Sequence, residues 1–158
     1  MSAHSGRAPV VLSDTDHLRN LLGRYCELID AGDLDGVGRL FAHGGLAAGP
    51  LDAPPFANGA DEVAAFYRSG LVLHDGSPRT KHLVLDTVFE EQREDGTVVA
   101  RSSYVVLQQL ADGPVQTLIA GRYVDHFGRD HNGPWHFLRR HFAVELVGDL
   151  SHHWGGPT

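Results

Sequence analysis

The sequence predicts an α+β fold, with N-terminal helices packed on a strongly curved antiparallel sheet that encloses a pocket, in the manner of a cone-like α+β barrel. Three observations carry this. Apolar residues recur at helical spacing as far as about residue 70. Four runs rich in Val, Leu, Phe, Tyr and Thr follow, from about Arg79 to Leu146. Turn signals separate those runs: Glu94-Asp95-Gly96, Asp112-Gly113-Pro114, and Asp130 through Pro134. Helices followed by a meander of strands is an α+β order, and a curved sheet closed off by helices leaves a cavity at its mouth.

Each element has a local cause. Residues 1–12 read as a flexible arm. Ser13, Asp14 and Thr15 can each cap a first helix. Leu18, Leu21, Leu22, Tyr25, Leu28 and Ile29 give that helix one apolar face. Ala31-Gly32 ends it, because glycine takes the left-handed conformation that closes helices. Asp33 can cap a second, short helix carrying Leu34, Val37, Leu40 and Phe41. Residues 43–58 are rich in Gly, Ala and Pro and read as one short strand and loops. A third helix runs from Ala60 to Gly70, with Val63, Ala64, Phe66 and Tyr67 apolar. The strand meander then completes a single domain over 13–147, and residues 148–158 form a tail without a clear element.

Composition narrows the function. The chain has 158 residues, 42% of them hydrophobic, enough for one domain with a real core. Its formal net charge is −7 and it has no basic run, so nucleic acid and anionic membrane are poor partners. A single cysteine, Cys26, excludes an internal disulfide and a cysteine-rich zinc site. Residues Met1 to Ser13 lack a signal-peptide core, and no run approaches the roughly 20 apolar residues of a membrane span, so a cytoplasmic protein is expected. His126, His131, His136 and His141 recur every five positions. Strand ligands on one face need even spacing, so no metal site is expected there. The His152-His153 pair in the tail reads as solvent-exposed.

Several side chains sit where their chemistry is out of place. Asp30 lies in the last turn of the first helix and opposes its dipole; it is a surface carboxylate beside a turn or a functional one. Alternation puts His136, Leu138, Arg140, Phe142, Val144 and Leu146 on one largely apolar strand face. A guanidinium cannot shed its charge, so Arg140 there demands an anionic partner, such as Asp86 or Asp125, or a polar cavity. Asp125 shares an apolar face with Ile119, Tyr123 and Phe127 and also needs a partner. His82 opens the first long strand, on the face with Val84, Asp86 and Val88. Tyr25 lies on the buried side of the first helix and is either a core tyrosine or a cavity hydroxyl. Phe66, Tyr67, Tyr104 and Tyr123 suit an apolar, aromatic or polycyclic ligand, or are core.

These residues carry a resemblance. RYCELIDAGDLDGVGRLFA, from Arg24 to Ala42, resembles the opening helices of the SnoaL-like, nuclear-transport-factor-2-like superfamily. Val124-Asp125-His126-Phe127, Arg79-Thr80-Lys81-His82 and the closing run from Gly133 to Arg140 resemble its strand segments, in order, across most of residues 15–146. Among its members the chain is nearest the scytalone dehydratase and hexachlorocyclohexane dehydrochlorinase type. The resemblance implies that Asp30 orients His82, that His82 is a general base, and that Arg140 is a third catalytic residue. It also implies that Tyr25 and Asp125 hold substrate, as in a ketosteroid isomerase oxyanion hole; Tyr104 and Phe66 join them as substrate-binding residues on their aromatic character alone. Two departures narrow it. The isomerase's base falls near Gly49-Pro50, where glycine cannot serve. The dehydratase's second histidine falls near Leu107-Gln108 and is absent.

The expected function is a cofactor-independent proton-transfer enzyme, a dehydratase or other lyase, an isomerase or a cyclase. It would act on a small apolar or polycyclic substrate. A homodimer or homotrimer is also implied. Two alternatives stay open: a non-catalytic ligand-binding or interaction member of the fold, and a limonene-type epoxide hydrolase built on Asp125, Arg140 and Asp30.

Overall fold

A computed structural model of the chain describes residues 9–156; most of the expected N-terminal arm, residues 1–8, lies outside them. Helix α1 (Asp14–Ala31) starts at Ser13, whose hydroxyl accepts from the Asp16 amide while the Asp16 carboxylate accepts from the Ser13 amide. That reciprocal pair satisfies donors a helix otherwise leaves open. Gly32 closes α1 at φ 75°, a conformation a β-carbon would strain. Leu18, Leu22, Tyr25 and Ile29 form its buried face. Asp33 caps α2 (Leu34–Leu40) through the Gly36 amide. Helix α3 (Gly59–Gly70) buries Val63, Ala64 and Tyr67.

The strands are β1 (Gly45–Ala47), β2 (Ala57–Asn58), β3 (Thr80–Phe89), β4 (Val98–Gln108), β5 (Gln116–Gly128) and β6 (His136–Val147). They form one open, curled sheet in the order β2-β1-β6-β5-β4-β3. The four long strands pair antiparallel, as their turns predict. Two details differ from expectation. The 43–58 region holds two short strands rather than one, and β1 runs parallel to β6, which makes the sheet mixed. In the main core Phe41 stacks on Phe137 of β6, and Phe127 of β5 lies tilted against the same ring.

Bulges correct the predicted strand faces. Between β5 and β6 the register jumps so that Phe127 faces Phe137 while His126 faces Arg139, leaving Leu138 as an extra residue. An extra residue reverses the alternation. Phe137, not Leu138, therefore shares the inner face with Arg140, and a second shift near Gly121 puts Leu146 outside, 68% exposed. A third bulge lies between Leu85 and Val88, where Asp86 takes φ 53°. Val88 and Asp86 thus leave the face of His82 for solvent.

After Gly148 the chain folds back over the end of α3. Trp154 bridges to Leu71, the Gly155 amide donates to the Gly70 carbonyl, and the Val72 amide donates to the His153 carbonyl. No helix among the described residues is long and apolar enough to cross a membrane.

Candidate active site

The concave side of the sheet, α1, α3 and the tail enclose a cavity of about 480 Å³. This is a size that suits a small organic ligand. Its wall is apolar and aromatic, with Ile29, Phe56, Phe66, Leu71, Val106, Ile119, Phe142 and Trp154 among its residues. The polar groups facing it are the tyrosines Tyr25, Tyr67, Tyr104 and Tyr123, and the histidines His82 and His153.

His82 comes from the start of β3, beside the end of α1. Its Nδ1 lies 2.6 Å from Asp30 Oδ1. The same carboxylate accepts from the His82 amide and from the Thr80 hydroxyl at 2.9 Å, and Ser77 Oγ donates to the Asp30 carbonyl. Burial pushes the Asp30 carboxyl up, but hydrogen bonds from His82 and Thr80 and the charge of His82 outweigh it and hold the group below the ordinary carboxylate value. A carboxylate accepting at Nδ1 puts the imidazole proton there and leaves Nε2 with a lone pair. His82 Nε2 has no hydrogen-bond partner among the described residues, and the ring lines the cavity. The unfavourable place of Asp30 at the end of a helix is thereby explained: its partners come from β3.

Arg140 and Asp125 face each other across β5 and β6. Nε and Nη2 of Arg140 donate to the two carboxylate oxygens of Asp125 at 2.7 and 2.8 Å, and neither residue has any exposed surface. Neither side chain is among the residues that line the cavity. The pair lies behind the cavity wall, because the bidentate geometry satisfies the carboxylate and the aromatic rings of Tyr25 and Tyr123 cover the guanidinium at 4.2 and 4.0 Å. Nη1 has no hydrogen-bond partner among the described residues and rests against these rings. A desolvated cation over aromatic faces gains about 2 kcal/mol or more.

The charge of Arg140 nevertheless reaches the cavity through the tyrosines. Tyr25 Oη and Tyr67 Oη share a 2.7 Å hydrogen bond, and the Tyr104 and Tyr123 rings stack at 4.1 Å. Burial pushes all four phenols up, Tyr104 to about 12, while Arg140 opposes the shift. They are hydrogen-bond donors at neutral pH. Asp30 and Asp125 belong to separate clusters, each held by its own basic partner.

The structure thus brings His82, Tyr25, Tyr104 and Phe66 to one cavity, with Asp30 bonded to His82 and Arg140-Asp125 one layer behind. Sequence reasoning missed His153 and Trp154. The expected exposure of the histidine pair is half right: His152 is exposed, but His153 is only 6% exposed. The available signal was Trp154 itself, a large apolar side chain in a Gly-, His- and Pro-rich tail that carries no periodic pattern. At the two departures noted above, Gly49 uses its carbonyl to accept from His141 Nε2, and buried Gln108 donates to the carbonyls of Pro78 and His152. Among the described residues no three His, Cys, Asp or Glu side chains converge.

With this fold and site in view, comparison with known proteins places the chain. Residues 10–141 match the SnoaL-like domain, and the protein belongs to that family. Solved structures share its fold. ActVI-ORFA from Streptomyces coelicolor superposes with a TM-score of 0.68 at 19% identity, over 84% of this chain and 98% of that one. A proposed scytalone dehydratase from Novosphingobium aromaticivorans gives 0.64 at 16% identity, over 86% and 87%. The β subunit of a proposed aromatic-ring-hydroxylating dioxygenase from the same organism gives 0.62 at 19%, over 84% and 89%. Identities this low speak for the fold alone.

Proposed function

We propose that the protein is a cofactor-independent proton-transfer enzyme, a lyase, isomerase or cyclase, in which His82 held by Asp30 is the general base. The observation that carries this reading is the 2.6 Å Asp30–His82 Nδ1 contact, with Nε2 left free on a ring that lines an apolar cavity. Nε2 takes a proton from a carbon acid, and Asp30 stabilises the imidazolium that forms. Positioned base catalysis of this kind is worth roughly 10²–10⁴ in rate. When Tyr67 donates to Tyr25 Oη, the single hydroxyl hydrogen of Tyr25 is left to donate to oxygen that gains charge. Arg140 adds positive potential from behind Tyr25 and Tyr123. The aromatic wall fits a small apolar or polycyclic substrate.

The other readings find less support. An interaction subunit is expected to fill its interior, whereas this one keeps a cavity of about 480 Å³. A hydrolase needs two carboxylates and an arginine around one water, whereas Asp30 is engaged by His82 and Asp125 by Arg140.

The test uses 5-nitrobenzisoxazole, an aromatic carbon acid that fits such a cavity. A base removes its C3 proton, the C–H pair forms the nitrile, and the N–O bond breaks to release a coloured cyanonitrophenolate. The wild-type protein should accelerate this elimination, and His82→Ala should lose roughly 10²-fold or more while still binding nitrobenzene. Equal rates for the two proteins would refute the assignment of His82.

A further inference from the structure

The cavity holds a second histidine that the reaction above does not use. His153 comes from the tail, 71 positions after His82 in the chain, and lies beyond the stretch that matches the family. Its backbone is firmly placed. The His153 amide donates to the Leu150 carbonyl, and its own carbonyl accepts from Val72. The preceding carbonyl, of His152, accepts from Gln108 Nε2 and contacts His74 Nε2 at 2.9 Å. The side chain is more than nine-tenths buried and lines the same cavity as His82. Yet Nδ1 is sealed off, and neither ring nitrogen has a hydrogen-bond partner among the described residues.

A buried imidazole without a protein partner costs stability unless a ligand completes it. Burial, and then the nearby His82, push the His153 pKa down to about 4. The ring is therefore neutral at physiological pH and carries one N–H. A proton on sealed Nδ1 would be an orphaned buried donor, the costlier arrangement. On Nε2 the proton can meet a ligand. A neutral imidazole donating to oxygen stabilises developing negative charge without first giving up a charge of its own.

We propose that His153 is the hydrogen-bond donor to the substrate oxygen that gains negative charge when His82 takes the proton. The site then takes ligands with a phenol- or enol-type oxygen on an apolar ring system. The catalytic part of this rests on His82 being the base; the ligand preference does not.

The experiment compares 4-nitrophenolate with nitrobenzene, its near-isostere without the charged oxygen. Binding is followed by tryptophan fluorescence, at a pH where the phenol is ionised in solution. Wild type should prefer the phenolate. His153→Phe should lower phenolate affinity at least about tenfold with nitrobenzene affinity nearly unchanged, and His153→Gln, which keeps an N–H, should retain most of the preference. The same His153 effect should persist in a His82→Ala background, so failure of the base assignment and failure of this one are told apart. Absence of a phenolate preference in wild type would overturn the proposal. So would equal losses for the two ligands in His153→Phe, which would mark a purely structural role.

Discussion

A carboxylate in the last turn of a helix gives up roughly 0.3–1 kcal/mol to the helix dipole. Asp30 accepts that loss because two hydrogen-bond donors on His82, with the Thr80 hydroxyl, converge on it. Arg140 and Asp125 show the same balance at higher stakes. Both are fully buried, so neither has water to fall back on. Removing one partner leaves an uncompensated charge, and Asp125→Ala should cost about 3–5 kcal/mol in urea denaturation. Replacing both, as Asp125→Leu with Arg140→Met, should cost much less, because the stranded guanidinium is gone. Equal costs for the single and double variants would show that the stranded charge is not the cause. That Arg140 needed an anion was legible from its place on an apolar strand. Which carboxylate supplies it was not, because Asp86 and Asp125 were equivalent until the bulge near Leu85 turned Asp86 to solvent.

Among the elements, the tail does more than its composition suggests. It closes the cavity against the end of α3, where Gly70 is the contact. A β-carbon at Gly70 would run into the indole of Trp154, so the ring lies flush on the helix backbone only because glycine stands there. Gly70→Leu should lift the segment carrying His153 and Trp154. With Trp135→Phe as background to isolate Trp154, emission should shift to the red, and nitrobenzene affinity should fall about tenfold, as expected for overpacking worth about 1–3 kcal/mol. Unchanged emission together with unchanged affinity would show that the tail does not depend on this contact. The strand bulges act on the same scale. Each leaves a strand recognisable in sequence but exchanges the faces of everything beyond it, which is how Phe137 and Leu138 came to trade places.

At the scale of the whole molecule, the site sets how stability responds to pH. Burial and then the neighbouring His82 push the folded-state pKa of His153 down to about 4, from an ordinary value of 6.5. The unfolded chain binds a proton between those values and the folded one does not. Stability from this group is therefore complete above pH 6.5 and falls as the pH drops towards 4, at up to about 1.4 kcal/mol per pH unit. Asp30, held below its ordinary 3.8, keeps its contribution above that value and loses it only at lower pH. Urea denaturation of the wild type and His153→Phe from pH 7 to pH 4 should show a shallower decline in the variant. Parallel curves would show that His153 is not kept neutral by the fold.

The family resemblance singled out Asp30 and His82; the sequence by itself determined the α+β order, the three helices with caps for the first two, and the four long strands with their turns. These follow from local rules: capping within a few residues, periodicity of 3.6 or 2, and turn residues that accept unusual backbone angles. Tertiary structure decided what those candidates touch. It joined Asp30 to His82, moved Arg140 and Asp125 one layer behind the tyrosines, and brought His153 from the tail into the cavity. Periodicity specifies which side of an element is buried and cannot name the partner that buries it. That partner is set by strand register and by contacts between distant segments, such as Gly70 with Trp154 and Gln108 with His152. The pair most visible in sequence thus acquired a companion histidine that only the folded chain supplies.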